Sequence, residues 1–561
     1  MDTDPPRPPR SAAAPLPAAS EPPPPAATVT GGYHPLALDP HGEGGWGWVD
    51  QMTDRLANWL NPILIKEARQ ALKSRQFTIT FFLLLLASWG WTVMGVILQS
   101  PGIYHVPSGT AMLVGYYFVL TIPLLSMVPL AAHRSLVAEI DDDTFEMLSI
   151  TRLSALGIVL GKLNSAMLQM LVYFAALVPC LAFCYLLRGV ALPTIGLLIA
   201  TIFGAAILLT TASLLLATLA VNRAGQIFAL LLVVGLVLLG EILCGAFCVG
   251  ALLSENLRLN GESLAALTAF FLGGFSFVVL FVKAAAARIA PVTENRSSPL
   301  RWILFAQQLL WITVIATLAI YYEDAEPLNF GSMVVCGYWL LMGTLMLSES
   351  PYLSPRAHPH LPKTFFGRMM LTWFNPGPGT GFMFAISNGL VGIGILGMLG
   401  GLAGMASYST FPLTFAAMSG GYLLGFLGLT RLLTLPLLSR FGRSLACPLV
   451  TLAALLVLAV LIPSVVTVVL TGSLASQYQL SEAFNWFWTL LAAFDNNLSP
   501  QIAVLILTVG LVILCINLGL LFREFRYRRI AVPARILAEE GRRRPAASAP
   551  APAGPFDAPV V

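Results

Sequence analysis

Twelve stretches of about 20 largely apolar residues, separated by short polar connections, constrain this 561-residue chain more than any other feature. A helix rises about 1.5 Å per residue and the hydrocarbon core of a bilayer is about 30 Å thick, so each stretch is long enough to cross once. The first six lie near 78–98, 111–131, 164–187, 193–220, 226–251 and 264–282. The other six lie near 302–321, 330–347, 381–402, 411–430, 446–471 and 501–522. In lipid every backbone N–H and C=O must be satisfied within the protein, and for segments of this length the helix does so. The expected fold is therefore an all-α polytopic membrane protein. Composition agrees: 57% of residues are hydrophobic and 10% charged, against about 25% charged in a soluble domain. Such a chain cannot cover a water-facing surface.

Orientation follows from Lys and Arg in the connections. With the N-terminus cytoplasmic, the inward connections hold fourteen, among them Arg134, Arg152, Lys162, Arg301, Arg356, Lys363 and Arg431. The outward ones hold Arg188 and Arg258. Arg523, Arg526, Arg528 and Arg529 follow the last span. Both termini are expected inside. The net charge of +4 is small, and nothing in its distribution points to nucleic acid.

Residues 1–50 form an expected disordered Pro/Ala-rich tail, without the compact apolar core of a secretory signal. Residues 531–561 read similarly. Between them we expect two bundles of six spans, 51–290 and 291–530. The cysteine pairs Cys180/Cys184 and Cys244/Cys248 each share a helix face. With no His or acid at ligand spacing they read as packing residues, and no metal site is expected.

Two cytoplasmic segments stand out. The first runs from Asn61 to Arg75, with Asn61 as N-cap and Pro62 at the first helical position. Leu64, Ala68, Ala71 and Leu72 share one face, and Lys66, Arg69, Gln70 and Lys73 the other. That pattern predicts a basic amphipathic helix lying on the anionic inner leaflet. The second is the connection between spans two and three, from Arg134 to Lys162. Asp143 or Thr144 can cap a short helix with Glu146 in its first turn, leaving Phe145, Met147 and Leu148 as an apolar edge. An acidic and apolar cytoplasmic helix is a docking surface for a soluble partner; the alternative is an inert loop. The run Asp141-Asp142-Asp143 does not converge on one cation without a folded backbone around it.

The order of basic helix, two spans, acidic connection and return span resembles the type-2 permease family of ATP-binding-cassette (ABC) transporters. Its members carry a connection of the form Glu, a few residues, Gly-Thr-x-Glu-x-Leu, then Thr-Pro, ending in Gly-Lys. This chain matches at Glu139, Thr144, Glu146, Leu148, Thr151, Gly161 and Lys162, and departs at Asp143 (Gly in the family) and Arg152 (Pro). The resemblance covers roughly residues 60–290. It implies an elbow helix at 61–76, with Pro62, Lys66, Arg69 and Lys73, and a coupling helix at Glu139 to Ser154. Glu139, Asp143, Thr144, Phe145, Glu146 and Leu148 would then meet a separate ABC ATPase subunit that carries ATP and Mg. It also implies a multi-pass protein of a bacterial inner membrane, working in export, with a second copy or another permease as membrane partner.

The second half repeats no acidic connection; its inward connections are basic and Pro-rich, as at Ser350 to Arg356. It reads either as a diverged permease half or as an accessory bundle. Glu482 to Leu491, rich in Phe and Trp, reads as an interfacial or re-entrant helix before the last span. Glu241 is the one formal charge inside the spans as bounded above, with Asn388 and Gln169 as polar candidates to meet it. An intramembrane carboxylate costs about 3 kcal/mol, so it pairs, protonates or lines water. The chain has no G-x-x-x-x-G-K-[ST] phosphate loop, H-E-x-x-H or G-x-S-x-G motif, so it is expected to be no enzyme. Three readings stand: ABC permease, ion-coupled transporter using Glu241, and non-transporting membrane scaffold.

Overall fold

The computed structural model describes residues 62–141, 154–219, 223–253, 261–291, 295–349, 372–402, 411–441, 445–472, 478, 480–494 and 499–528. Every regular element among them is helical. A short helix α1 (Pro62–Leu72) precedes α2 (Arg75–Gln99), α3 (Gly109–Asp141), α4 (Ala155–Leu186), α5 (Leu192–Leu219), α6 (Arg223–Leu253) and α7 (Gly261–Ile289). The second series is α8 (Ser298–Tyr322), α9 (Glu326–Leu347), α10 (Pro378–Leu402), α11 (Phe411–Phe441), α12 (Ala446–Thr471), α13 (Trp486–Phe494) and α14 (Pro500–Arg528). Twelve of these, all but α1 and α13, are long and apolar enough to cross a membrane, and each coincides with one of the expected spans to within a residue or overruns it. The protein is a polytopic all-α membrane protein.

Local sequence sets several ends. Ser74 Oγ accepts from the Phe77 amide at 3.1 Å and starts α2; Ser154 does the same for Gly157 and starts α4. Glu323 (φ 53°) and Gly472 (φ 73°) take the left-handed conformation that stops α8 and α12. Inside α3, residues Ile122–Met127 form a π-helical turn, in which the Val128 amide reaches back to the Pro123 carbonyl.

The helices overrun the expected spans, and this corrects the reading of the connections. α3 continues ten residues past 131, to Asp141, and α4 begins nine residues before 164, at Ala155. At most residues 142–154 are left between the two helices, of which 142–153 lie outside the described residues. Likewise Arg301 lies inside α8 and Arg431 inside α11, where both are buried, at 0% and 2% exposure. They were expected as loop cations facing the cytoplasm.

Outward faces are apolar. Phe82, Leu86, Trp89 and Val93 repeat along α2, and Leu458, Leu461, Val465 and Val469 along α12, all exposed. A soluble monomer does not display such continuous apolar stripes, whereas hydrocarbon accepts them. Inside, buried residues of α2 to α6 form one cluster around Met112, Leu124 and Met170. A second joins the ends of α3, α4, α5 and α7 around Leu136 and Ala285. A third runs from Leu280 in α7 to Ile506 in α14, around the fully buried Trp339. The first six spans meet the rest where Gly273 of α7 lies under Trp311 of α8, and Gln307 donates to Ser276 at 3.1 Å.

Two glycines bring α11 and α14 into close backbone contact. A Cβ on Gly421 would stand 2.7 Å from the backbone of Ile506 and Leu507, and one on Gly510 would stand 2.6 Å from the Gly421 carbonyl. Small residues at such crossings let backbones pack directly, the main attraction available between helices in lipid. Gly421→Ala is therefore expected to lower stability by about 1–3 kcal/mol. Gly425→Ala, with no atom within 4 Å of the added methyl, is the neutral control. Thermal unfolding of the detergent-solubilised variants measures both.

Candidate functional site

One end of the first bundle is organised by Lys162, about two turns into α4 and 4% exposed. Its ammonium lies 3.0 Å from Glu139 Oε1 and 3.3 Å from Glu67 Oε2, and donates to Ser135 Oγ at 2.8 Å. Those contacts match the three donors an ammonium has. Glu67 belongs to α1; Ser135 and Glu139 lie one turn apart near the end of α3. One cation thus fastens α1, α3 and α4 together. Further contacts tie the same end of α3 to its neighbours. His133 Nδ1 lies 3.1 Å from the Ser213 carbonyl of α5, and Gln226 of α6 donates to Asp141 at 2.6 Å.

Of the residues assigned to docking, Glu139 is half-buried in this ionic clasp. Asp143, Thr144, Phe145, Glu146 and Leu148 lie outside the described residues, as does most of the expected coupling helix. α1 exists as a helix beginning at Pro62, with Ala68 buried and Lys66, Arg69 and Lys73 exposed. Glu67, which sequence reasoning passed over, proves to be the residue that holds it. The signal available was a lone acid amid the basic residues of that segment.

Glu241 sits midway along α6. Its partner is Ser126 Oγ, 3.1 Å away in the π-helical turn of α3, with the Thr121 hydroxyl of the same helix also facing the carboxylate. Asn388, proposed from sequence, is elsewhere: it donates to the Phe384 carbonyl within α10, and its own carbonyl accepts from Gln308. Gln169 forms no described bond to Glu241. Nearby, Cys244 and Cys248 stand 3.9 Å apart as free thiols.

The second bundle holds two further buried cations. Arg301 Nη2 bonds Glu349 Oε2 at 2.6 Å and the Gly377 carbonyl at 3.3 Å. Its Nη1 reaches the carbonyls of Trp373 and Asn375. The Glu349 carboxylate also accepts from the Gly377 amide at 2.8 Å. The guanidinium fork thereby fixes the turn 372–377 that leads into α10. Arg431 of α11 bonds the Asn517 carbonyl of α14 at 3.2 Å. The guanidiniums of Arg301 and Arg431 lie 5.8 Å and 4.8 Å from the rings of Phe384 and Phe382. Those rings are two residues apart, so they leave α10 on nearly opposite sides, and α10 is gripped between two cations.

Glu482 is the remaining buried charge, at 2% exposure between α12 and α13. It accepts from Thr467 Oγ1 at 2.7 Å and from Asn485 Nδ2 at 3.0 Å. Asn485 Oδ1 in turn caps α13 through the Trp488 amide at 3.2 Å. A helix at Glu482 to Leu491 was expected; the structure divides it into a 3₁₀ turn, Leu480–Phe484, and α13.

Removing the ammonium at the C-terminal end of α3 leaves two carboxylates facing each other largely out of water. Lys162→Met is expected to cost about 3–5 kcal/mol, the range for breaking a buried pair on one side. Glu67→Gln, which leaves the Glu139 pair intact, is expected to cost less while freeing α1. Unfolding midpoints give the first quantity, and the rate of proteolysis near residue 74 gives the second.

No family model matches this chain, and neither a curated protein nor a solved structure matches it.

Proposed function

We propose that the protein is the membrane-spanning permease subunit of an ATP-driven exporter, powered by a separate ABC ATPase that docks on the connection between α3 and α4. The observation that supports this reading is the Lys162 clasp. Glu139 and Lys162, the first and last residues of the resembling pattern, are paired at 3.0 Å across the base of residues 142–153. The same ammonium holds Glu67 of α1. A force applied to that connection enters α3, α4 and α1 together, because none of them can move without breaking a buried ion pair. In this reading ATP and Mg are bound by the partner. Both termini and the docking connection face the cytoplasm of a bacterial cell, by the excess of Lys and Arg on that side. The exposed Lys66, Arg69 and Lys73 lie against anionic headgroups.

One observation favours a second reading, an ion-coupled transporter. Glu241 meets Ser126 where α3 widens into a π-helical turn, and such turns recur at functional sites. Purification of the full chain from its native membrane in mild detergent separates the two. The permease reading expects a stoichiometric ATPase to come with the chain and to be lost in Glu146→Lys. If no ATPase accompanies the folded protein, the permease reading fails. The second reading expects ion-driven flux in proteoliposomes that Glu241→Gln abolishes; unchanged flux would exclude it.

A further inference from the structure

An amphipathic helix held to a bilayer by its hydrophobic side buries that side among the acyl chains. In α1 that side is used otherwise. The helix packs chiefly along α4, with Ala68 buried and Leu64, Ala71 and Leu72 half-buried. Its acid, Glu67, is paired with Lys162. What α1 leaves outside is positive charge. Lys66, Arg69 and Lys73 are exposed at intervals of three and four residues, which sets them on one face, and the exposed Arg75 follows at the start of α2. Among the described residues no ion pair or hydrogen bond engages any of these four side chains. Ile65, Lys66, Arg69, Gln70 and Lys73 line a shallow, open depression on that face.

The depth of this face in the membrane follows from α2. Lys73 and Ser74 alone separate the two helices. Ile79, one turn beyond Arg75, is already 59% exposed, and Phe82 is 69% exposed. The four cations therefore lie where the lipid-facing surface of the bundle begins. That is the level of the headgroups, and the phosphates of anionic lipids carry the complementary charge there.

We infer that anionic phospholipid is a regulatory ligand of the Lys162 clasp, bound through its phosphates to the exposed face of α1. The inference rests on the placement of Lys66, Arg69 and Lys73 against headgroups proposed above, and needs no ATPase. A ligand shifts an equilibrium only by its differential affinity for the two states. With α1 docked, one helix face presents the three cations and the charge of Glu67 is neutralised by Lys162. With α1 released, Glu67 becomes a free negative charge beside the same headgroups and is repelled by them. Anionic lipid therefore favours the docked helix, and a neutral bilayer loosens it. The clasp gains an input from the charge of the membrane.

The test measures amide hydrogen exchange over residues 64–72 in the full chain. The chain is reconstituted in nanodiscs of phosphatidylcholine alone, or of equal parts phosphatidylcholine and phosphatidylglycerol. Exchange is expected to be several-fold slower with phosphatidylglycerol, and the difference to shrink in high salt. The triple variant Lys66→Gln, Arg69→Gln and Lys73→Gln is expected to exchange at one rate in both lipids. Glu67→Gln is expected to exchange faster and to lose most of the lipid dependence. Equal rates in the two lipids for the unaltered chain overturn the inference, and so does a full lipid response in either variant. Inorganic phosphate added to the phosphatidylcholine discs distinguishes the source of the anion. No slowing supports the lipid, whereas slowing as large as that with phosphatidylglycerol makes this a site for free phosphate and overturns the lipid assignment.

Discussion

A polar group without a partner in hydrocarbon has no water to fall back on, and both the backbone and the side chains of this protein answer to that condition. At the level of the main chain it leaves only long helices, each closing its own hydrogen bonds. At the level of side chains it governs where ionised groups are tolerated. Lys162, Arg301 and Arg431 all lie within a few turns of a helix end and direct their donors to carboxylates or carbonyls. None faces the lipid-exposed stripes of α2 or α12.

Apolar contact between helices is a weak organiser here, because lipid tails are as good a solvent as a neighbouring leucine. Relative placement must come from close backbone approach and from ion pairs. The two bundles divide these devices differently. In the first, one ammonium gathers α1, α3 and α4, while His133 and Gln226 extend the knot to α5 and α6. In the second, two guanidiniums hold α10 on opposite sides, and glycines bring α11 against α14. Arg301 suits its position because a planar fork can bond several carbonyls and a carboxylate at once, which an ammonium cannot do with the same geometry.

The twelve spans were legible because hydropathy over about 20 residues reports a physical requirement of the bilayer rather than a preference. Their ends were not. Nothing in local hydropathy says that α3 runs on as far as Glu139, because that residue is held by its pairing with Lys162 on α4. For the same reason Arg301 and Arg431 looked like loop cations: the carbonyls that bury Arg301 lie more than 70 residues away in sequence. Glu241 was visible as the lone charge within an apolar run, yet its partner Ser126 depends on the phase of α3, which the sequence pattern alone did not reveal. Glu67 and Glu482 were missed because each sits in a segment whose neighbours, basic or aromatic, dominated the reading.

The π-helical turn of α3 has an effect beyond its own six residues. Each residue of an α-helix advances about 100° around the axis, so a turn that takes in one extra residue rotates everything after it by about that angle. Tyr117 and Leu120, before the turn, and Leu136 and Glu139, after it, therefore belong to two helical wheels out of phase with each other. Shortening α3 by one residue between Ile122 and Met127 would restore a single wheel and swing Glu139 a quarter-turn or more away from Lys162. The wide turn acts as an angular offset, letting one continuous rod address the apolar core of the bundle and the clasp at its C-terminal end with differently aimed faces.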